Sequence, residues 1–133
     1  MTARSLPVDA GLLARFREAG AKIQWRAGPK PSRNRPKSRV RVAHLHDEEA
    51  RVDTWGSGRA GGLAADSGPL GALVLLLEAD RRGAPDHLAS WNAGTDPGFA
   101  QGAVVAVWGA RAPRADSTPR LADLVEVARY ALA

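Results

Sequence analysis

The longest apolar run of the chain, Leu70 to Leu77, most constrains what this sequence can fold into. It lies in a predicted helix over Leu70–Arg82, with Pro69 at the first helical position and Gly83 as the C-terminal cap, which are the preferred places of these residues. Its first half is apolar nearly all round, so we expect it to be buried on several sides at the centre of the core. A run of eight residues is too short for a bilayer, which needs about 20, so we expect no transmembrane helix and no membrane partner.

The remaining patterns predict a small α+β fold around this helix. A helix over 9–19, with Asp9 as its N-cap and Gly20 at its end, is followed by segments that favour strands. The predicted strands are 22–26, 39–46, 50–55 and 103–108, with Asp47-Glu48-Glu49 as the turn between the second and the third. Two more helices are expected, over 85–92 and from Thr118 to the C-terminal region. We therefore expect a mostly antiparallel sheet of three to four strands, packed by three to four helices.

The length of 133 residues suits one domain over 1–133. Two segments are expected to lie outside its regular structure: a basic, proline-rich arm or loop at 28–38 and a glycine-rich loop at 56–62. There is no cysteine, which excludes disulfides, thiolate metal sites and cysteine nucleophiles. The first 20 residues contain no continuous apolar stretch of the secretory kind, so we expect a cytoplasmic protein.

The positive charge of the chain is concentrated in one segment. The protein carries a formal +5, yet no acidic residue occurs between Glu18 and Asp47, an interval that holds eight cations. Without these eight, 11 basic residues face 14 acidic ones, a net charge of −3. A mildly acidic body with one cationic segment indicates an anionic partner.

Nucleic acid is the partner that this segment favours; the alternatives are an acidic protein partner and a solvated surface loop whose like charges repel and keep it open. Arginine grips phosphate oxygens in a bidentate manner, and an exposed indole stacks on bases. If it were extended at ~3.1 Å per residue, the segment 28–38 would reach about 34 Å along a groove. We expect phosphate contacts within residues 22–41 and little base specificity. The residues expected to bind nucleic acid are Trp25, Arg26, Lys30, Arg33, Arg35, Lys37, Arg39 and Arg41.

A second candidate site is the pair His44 and His46. Residues i and i+2 of a strand point the same way, so both imidazoles would reach one divalent metal ion, with a nearby carboxylate as a further ligand. The alternative is two hydrogen-bonded histidines at a strand end beside an acidic turn. The sequence departs from the H-x-H-x-D-H motif of metallo-β-lactamase-like hydrolases, because Glu48 and Glu49 stand in the Asp and His places.

Three function classes follow from these patterns. The first is a small non-enzymatic accessory protein that binds an anionic partner, expected to be nucleic acid, through residues 22–41. The alternative is an assembly or inhibitor-type protein of the phage or plasmid kind, with a protein partner or a second copy of itself. The third is a small metalloenzyme that uses His44 and His46. No carboxylate pair, nucleophile motif or phosphate-binding loop supports another enzyme class, and we expect no organic cofactor.

Overall fold

The computed structural model describes residues 8–28, 39–55, 61–66, 68–82, 103–108 and 124–132. The elements in chain order are α1 (Ala10–Ala21), β1 (Gln24–Ala27), β2 (Arg39–Leu45), β3 (Glu48–Trp55), β4 (Gly61–Asp66), α2 (Pro69–Arg82) and β5 (Ala103–Trp108). Residues 124–129 form a third helix, α3, which continues into the 3-10 turn Tyr130–Leu132. The helix predicted over 85–92 and the start of the C-terminal helix at Thr118 lie outside the described residues.

The five strands form one antiparallel sheet in the order β1-β2-β3-β4-β5. The predicted α+β fold with an antiparallel sheet is therefore confirmed, and the predicted strand over Ala103–Trp108 has the bounds of β5. The sheet has one strand more than the sequence analysis proposed. Strand β4 begins at Gly61, within the predicted glycine-rich loop, whose residues 56–60 lie outside the described part of the chain.

Helix α2 is the centre of the core, as the apolar run predicts. It packs on β3, β4 and β5 and also contacts α1 and the 3-10 turn. Four of its leucines are almost completely buried: Leu70, Leu73, Leu75 and Leu76. A helix that lies between a sheet and other helices has little solvent-facing surface, which explains why its sequence is apolar on several sides.

Two glycines allow α2 to approach its neighbours closely. A Cβ atom on Gly71 would overlap the backbone carbonyl of Asp66 at the end of β4, and one on Gly20 would overlap the side chain of Leu77. The expectation that Gly20 ends α1 is wrong. The helix continues to Ala21, and Gly20 serves a close helix contact instead. The predicted N-cap is confirmed, because Asp9 Oδ1 accepts a hydrogen bond from the Leu12 amide at 2.7 Å.

The helices of the described segments include none that is both long and apolar enough to cross a membrane.

Candidate functional site

The predicted basic segment, residues 22–41, comprises β1, the start of β2 and the connection between these two paired strands. Strand β1 pairs antiparallel with β2, so that Ala27 lies opposite Arg41, and the Gly28 amide donates a hydrogen bond to the Val40 carbonyl at 2.9 Å. Residues 29–38, which contain Lys30, Arg33, Arg35 and Lys37, lie outside the described part of the chain. Because β1 and β2 pair with each other, the two ends of this connection are held side by side, so it is not a segment with one free end.

Strand pairing distributes the four described residues of the predicted interface over two faces of the sheet. Trp25, Arg39 and Arg41 lie on the face that α2 covers, and Arg26 lies on the other. Successive residues of a strand point to opposite faces, so Trp25 and Arg26 are separated although they are adjacent in sequence. The predicted interface residues therefore do not form one continuous patch within the described part of the chain.

Arg41 and Trp25 are in direct contact. The guanidinium carbon of Arg41 lies 4.1 Å from the centre of the Trp25 ring, a cation–π arrangement between diagonal neighbours of two paired strands. Trp25 is 38% exposed, and Arg41 is exposed as well. None of the described carboxylates lies within ion-pair distance of Arg41 or Arg39. Both arginines thus present their charge to solvent, and Arg41 does so beside an accessible aromatic ring.

Arg26 is in a different electrostatic situation. Its Nη2 atom donates to both carboxylate oxygens of Glu49, at 3.1 and 3.2 Å. Glu49 also lies opposite His44 in the strand register, with 3.8 Å between His44 Nδ1 and Glu49 Oε1. The charge of Arg26 is therefore compensated within the fold, which leaves less of it for an external phosphate.

A cavity of about 480 Å³ adjoins Trp25 and Arg41. It lies between the β1 side of the sheet and one stripe of α2, where Val74, Leu77, Glu78 and Arg81 follow the i, i+3, i+4, i+7 spacing of one helix face. The space exists because α2 packs on β3, β4 and β5, whereas β1 is an edge strand whose residues are all exposed. Its lining residues are Gly20, Ile23, Trp25, Arg41, Val52, Thr54, Leu63, Val74, Leu77, Glu78 and Arg81.

The helix side of the cavity carries a fixed ion pair. Arg81 donates from Nε to Glu78 Oε2 at 3.2 Å and from Nη2 to Glu78 Oε1. These hydrogen bonds, together with the charge of Glu78, raise the pKa of Arg81 above its ordinary value, so this guanidinium stays protonated. The ion pair holds the side chains of Glu78 and Arg81 together on the α2 side of the cavity.

Sequence reasoning did not find the cavity or the roles of Leu77 and Arg81. The sequence of α2 does contain a signal for the cavity. The stripe from Val74 to Arg81 is apolar in its first half and charged in its second half, and charged residues indicate the part of the helix that the sheet does not cover. The position of β1 relative to this stripe depends on tertiary structure, so no local pattern reveals it.

The two histidines do not share a strand face. Strand β2 ends at Leu45, and His46 has φ = 55°, a left-handed conformation in the two-residue turn His46–Asp47. The predicted three-residue turn Asp47-Glu48-Glu49 is therefore wrong: Glu48 pairs with Leu45 and Glu49 with His44. The favoured two-residue hairpin turns have a positive φ at their first residue, and His46 takes this position instead of continuing the strand. Among the described residues, no three His, Asp or Glu side chains form a group that could hold a metal ion.

Comparisons with protein-family models, with curated proteins and with solved structures found no match to this chain.

Proposed function

We propose that this protein binds nucleic acid, without catalysis, at the end of the sheet where β1 and β2 are joined by the basic segment. Arg39 and Arg41 contact backbone phosphates there, together with Lys30, Arg33, Arg35 and Lys37 of the connection. Phosphate contacts of this kind fix the position of a strand and carry little sequence information.

The observation that supports this proposal most is the contact of Arg41 with Trp25. Both side chains are exposed, they lie on the same face as Arg39, and no described carboxylate compensates either arginine. An arginine beside an aromatic ring is a common element of nucleic-acid interfaces, because it offers a charge for phosphate and a surface for bases. Arg26 is excluded from this group by its ion pair with Glu49.

Salt dependence of binding tests the proposal. If about four phosphates are neutralised, the logarithm of the affinity for duplex DNA falls with the logarithm of the salt concentration with a slope near −4. The double variant Arg39→Gln/Arg41→Gln makes this slope shallower by about 2, since each lost phosphate contact removes about 1. Fluorescence anisotropy with a labelled duplex at several salt concentrations measures both values.

The matched control is Arg26→Gln, which removes the same charge from a paired arginine and leaves the slope unchanged. Replacing Arg33, Arg35 and Lys37 by Ala reduces the affinity further. An affinity that does not depend on salt, or a double variant that binds like the original protein, contradicts the proposed function.

A further inference from the structure

The cavity beside Trp25 has the size and the lining of a ligand site. Its volume of about 480 Å³ falls within the range of about 300–1,000 Å³ that small-molecule sites occupy. Val52, Leu63 and Val74 provide apolar walls, whereas Thr54, Glu78 and Arg81 provide polar groups. A lining that mixes apolar surface with hydrogen-bonding groups suits a flat heterocycle better than an alkyl chain, whose contacts would be apolar only.

The charges at the cavity indicate where an anionic group of the ligand would lie. Arg81 is already held by Glu78, whereas Arg41 has no partner among the described carboxylates. An anion would therefore lie at Arg41, on the side where Arg39 and the ends of the basic segment are found. A ligand with its ring in the cavity and its anionic group at Arg41 has the composition of a nucleotide.

We infer that this cavity takes one unpaired base, with the adjoining phosphate at Arg41, and that single-stranded nucleic acid is the preferred partner. This inference rests on the proposed function and adds the form of the partner to it. A base in a duplex is stacked and paired, and moving it into a cavity requires that it first be unstacked. A single strand avoids most of that requirement, and its bases are available for contact with an aromatic ring such as Trp25.

Binding of three probes of equal length tests the inference: an oligothymidylate, a duplex and an abasic strand. The protein binds the oligothymidylate about tenfold more tightly than either of the others, as expected when one base gains an aromatic contact. Thymidine monophosphate, which carries the same base and phosphate without a strand, competes for the cavity only weakly, because it lacks the other phosphates.

Two variants that fill the cavity make the test specific. Leu77→Trp fills it from α2 and Thr54→Phe fills it from β3, and each removes the preference for the oligothymidylate while the salt-dependent affinity for the duplex remains. In the controls, Leu77→Met keeps the side-chain volume nearly constant and Thr54→Ser keeps the hydroxyl, and both retain the preference. Thermal melting followed by circular dichroism shows which of these variants are folded, and the two filled sides provide independent measurements.

The outcomes separate this inference from the proposed function. Equal affinity for the three probes, or a preference that survives in both filled variants, overturns the single-strand inference and leaves the proposed function in place. Failure to bind any of the three probes overturns the proposed function itself. Binding of thymidine monophosphate alone, with no affinity for the strands, overturns both.

Discussion

The two faces of the sheet show how consecutive residues acquire opposite roles. On the face covered by α2, called here the covered face, Ala43, Ala50 and Val52 are buried in the core. On the opposite face, called here the outer face, the side chain of Glu49 is 54% exposed and pairs with Arg26. Glu49 and Ala50 are neighbours in sequence, so the alternation of the strand decides that one meets solvent and the other lies in the core.

Arg41 is the informative exception on the covered face. It lies beyond the part of the sheet that α2 covers, and it contacts Trp25 and the cavity. Arg26, only one strand away but on the outer face, is compensated by a carboxylate. The number of cations in a segment therefore does not measure the charge it can offer, because strand pairing decides which cations meet the protein's own acids.

The strongest test of the difference between the faces changes the charge on each, adding one on the covered face and removing one from the outer face. Ala50 is 2% exposed, and Ala50→Asp buries a carboxylate without a partner, which we expect to lower the free energy of unfolding by about 3–5 kcal/mol. The neighbouring change Glu49→Gln removes an exposed ion pair and costs less than about 1 kcal/mol. Urea denaturation measures both, and equal losses would contradict the assignment of the faces.

A second test concerns how closely α2 approaches the sheet. Gly71→Ala forces a methyl group against the Asp66 carbonyl, and we expect a loss of about 1–3 kcal/mol in the free energy of unfolding. Gly68→Ala is the control, because no atom lies within 4 Å of the added Cβ, and we expect a change within about 0.5 kcal/mol. If the two variants melt at the same temperature, the close approach at Gly71 is not what positions the start of α2.

The smallest expected effect concerns the outer side of the helical layer, where Arg17 of α1 pairs with Asp80 of α2. Arg17 donates from Nε and Nη2 to the two carboxylate oxygens of Asp80, each at 2.8 Å. This hydrogen bonding lowers the pKa of Asp80 below its usual value despite the opposing effect of partial burial. An acid with a lowered folded-state pKa contributes stability above its unfolded pKa of about 3.9, and loses it as the pH falls through the folded value.

Asp80→Asn therefore lowers the melting temperature at neutral pH, and the difference from the original protein narrows below about pH 4. Melting curves between neutral and strongly acidic pH measure this convergence. Glu126→Gln, which affects an exposed pair with Arg129, serves as the control and changes the melting temperature little at any pH. A constant difference for Asp80→Asn over the whole range would show that its effect does not depend on the ionised carboxylate.

Much of the fold was predictable because several elements carry strong local signals. The apolar run of α2, the continuous apolar strand Ala103–Trp108 and the cap at Asp9 were all recognised. Strand β4 was not, since its sequence GGLAAD is rich in small residues that have little preference for strands. Ala65 lies on the covered face and Ala64 on the outer face, and both are buried, so packing on each face, not local strand preference, holds these small residues in the sheet.

The candidate site was predictable only in part. Sequence identified the cationic segment and Trp25, because composition and local order carry that information. The different situations of Arg26 and Arg41 could not be predicted, because they depend on the sheet face on which each residue lies. The proximity of Arg81 to Trp25 could not be predicted either, because it depends on the position of α2 over the sheet. The error at His46 has a local cause, a tight turn that gave no glycine or asparagine signal.

The order of the strands also bears on how the chain reaches this structure. Each of the pairings from β1 to β4 joins strands that follow one another directly along the chain, whereas β5 joins the sheet only after α2 and the segment that follows it. Contacts between distant parts of a chain form more slowly than local ones. During synthesis, β1 to β4, α2 and most of the buried core have therefore left the ribosome before β5 does, so β5 joins a sheet whose other strands already have their neighbours.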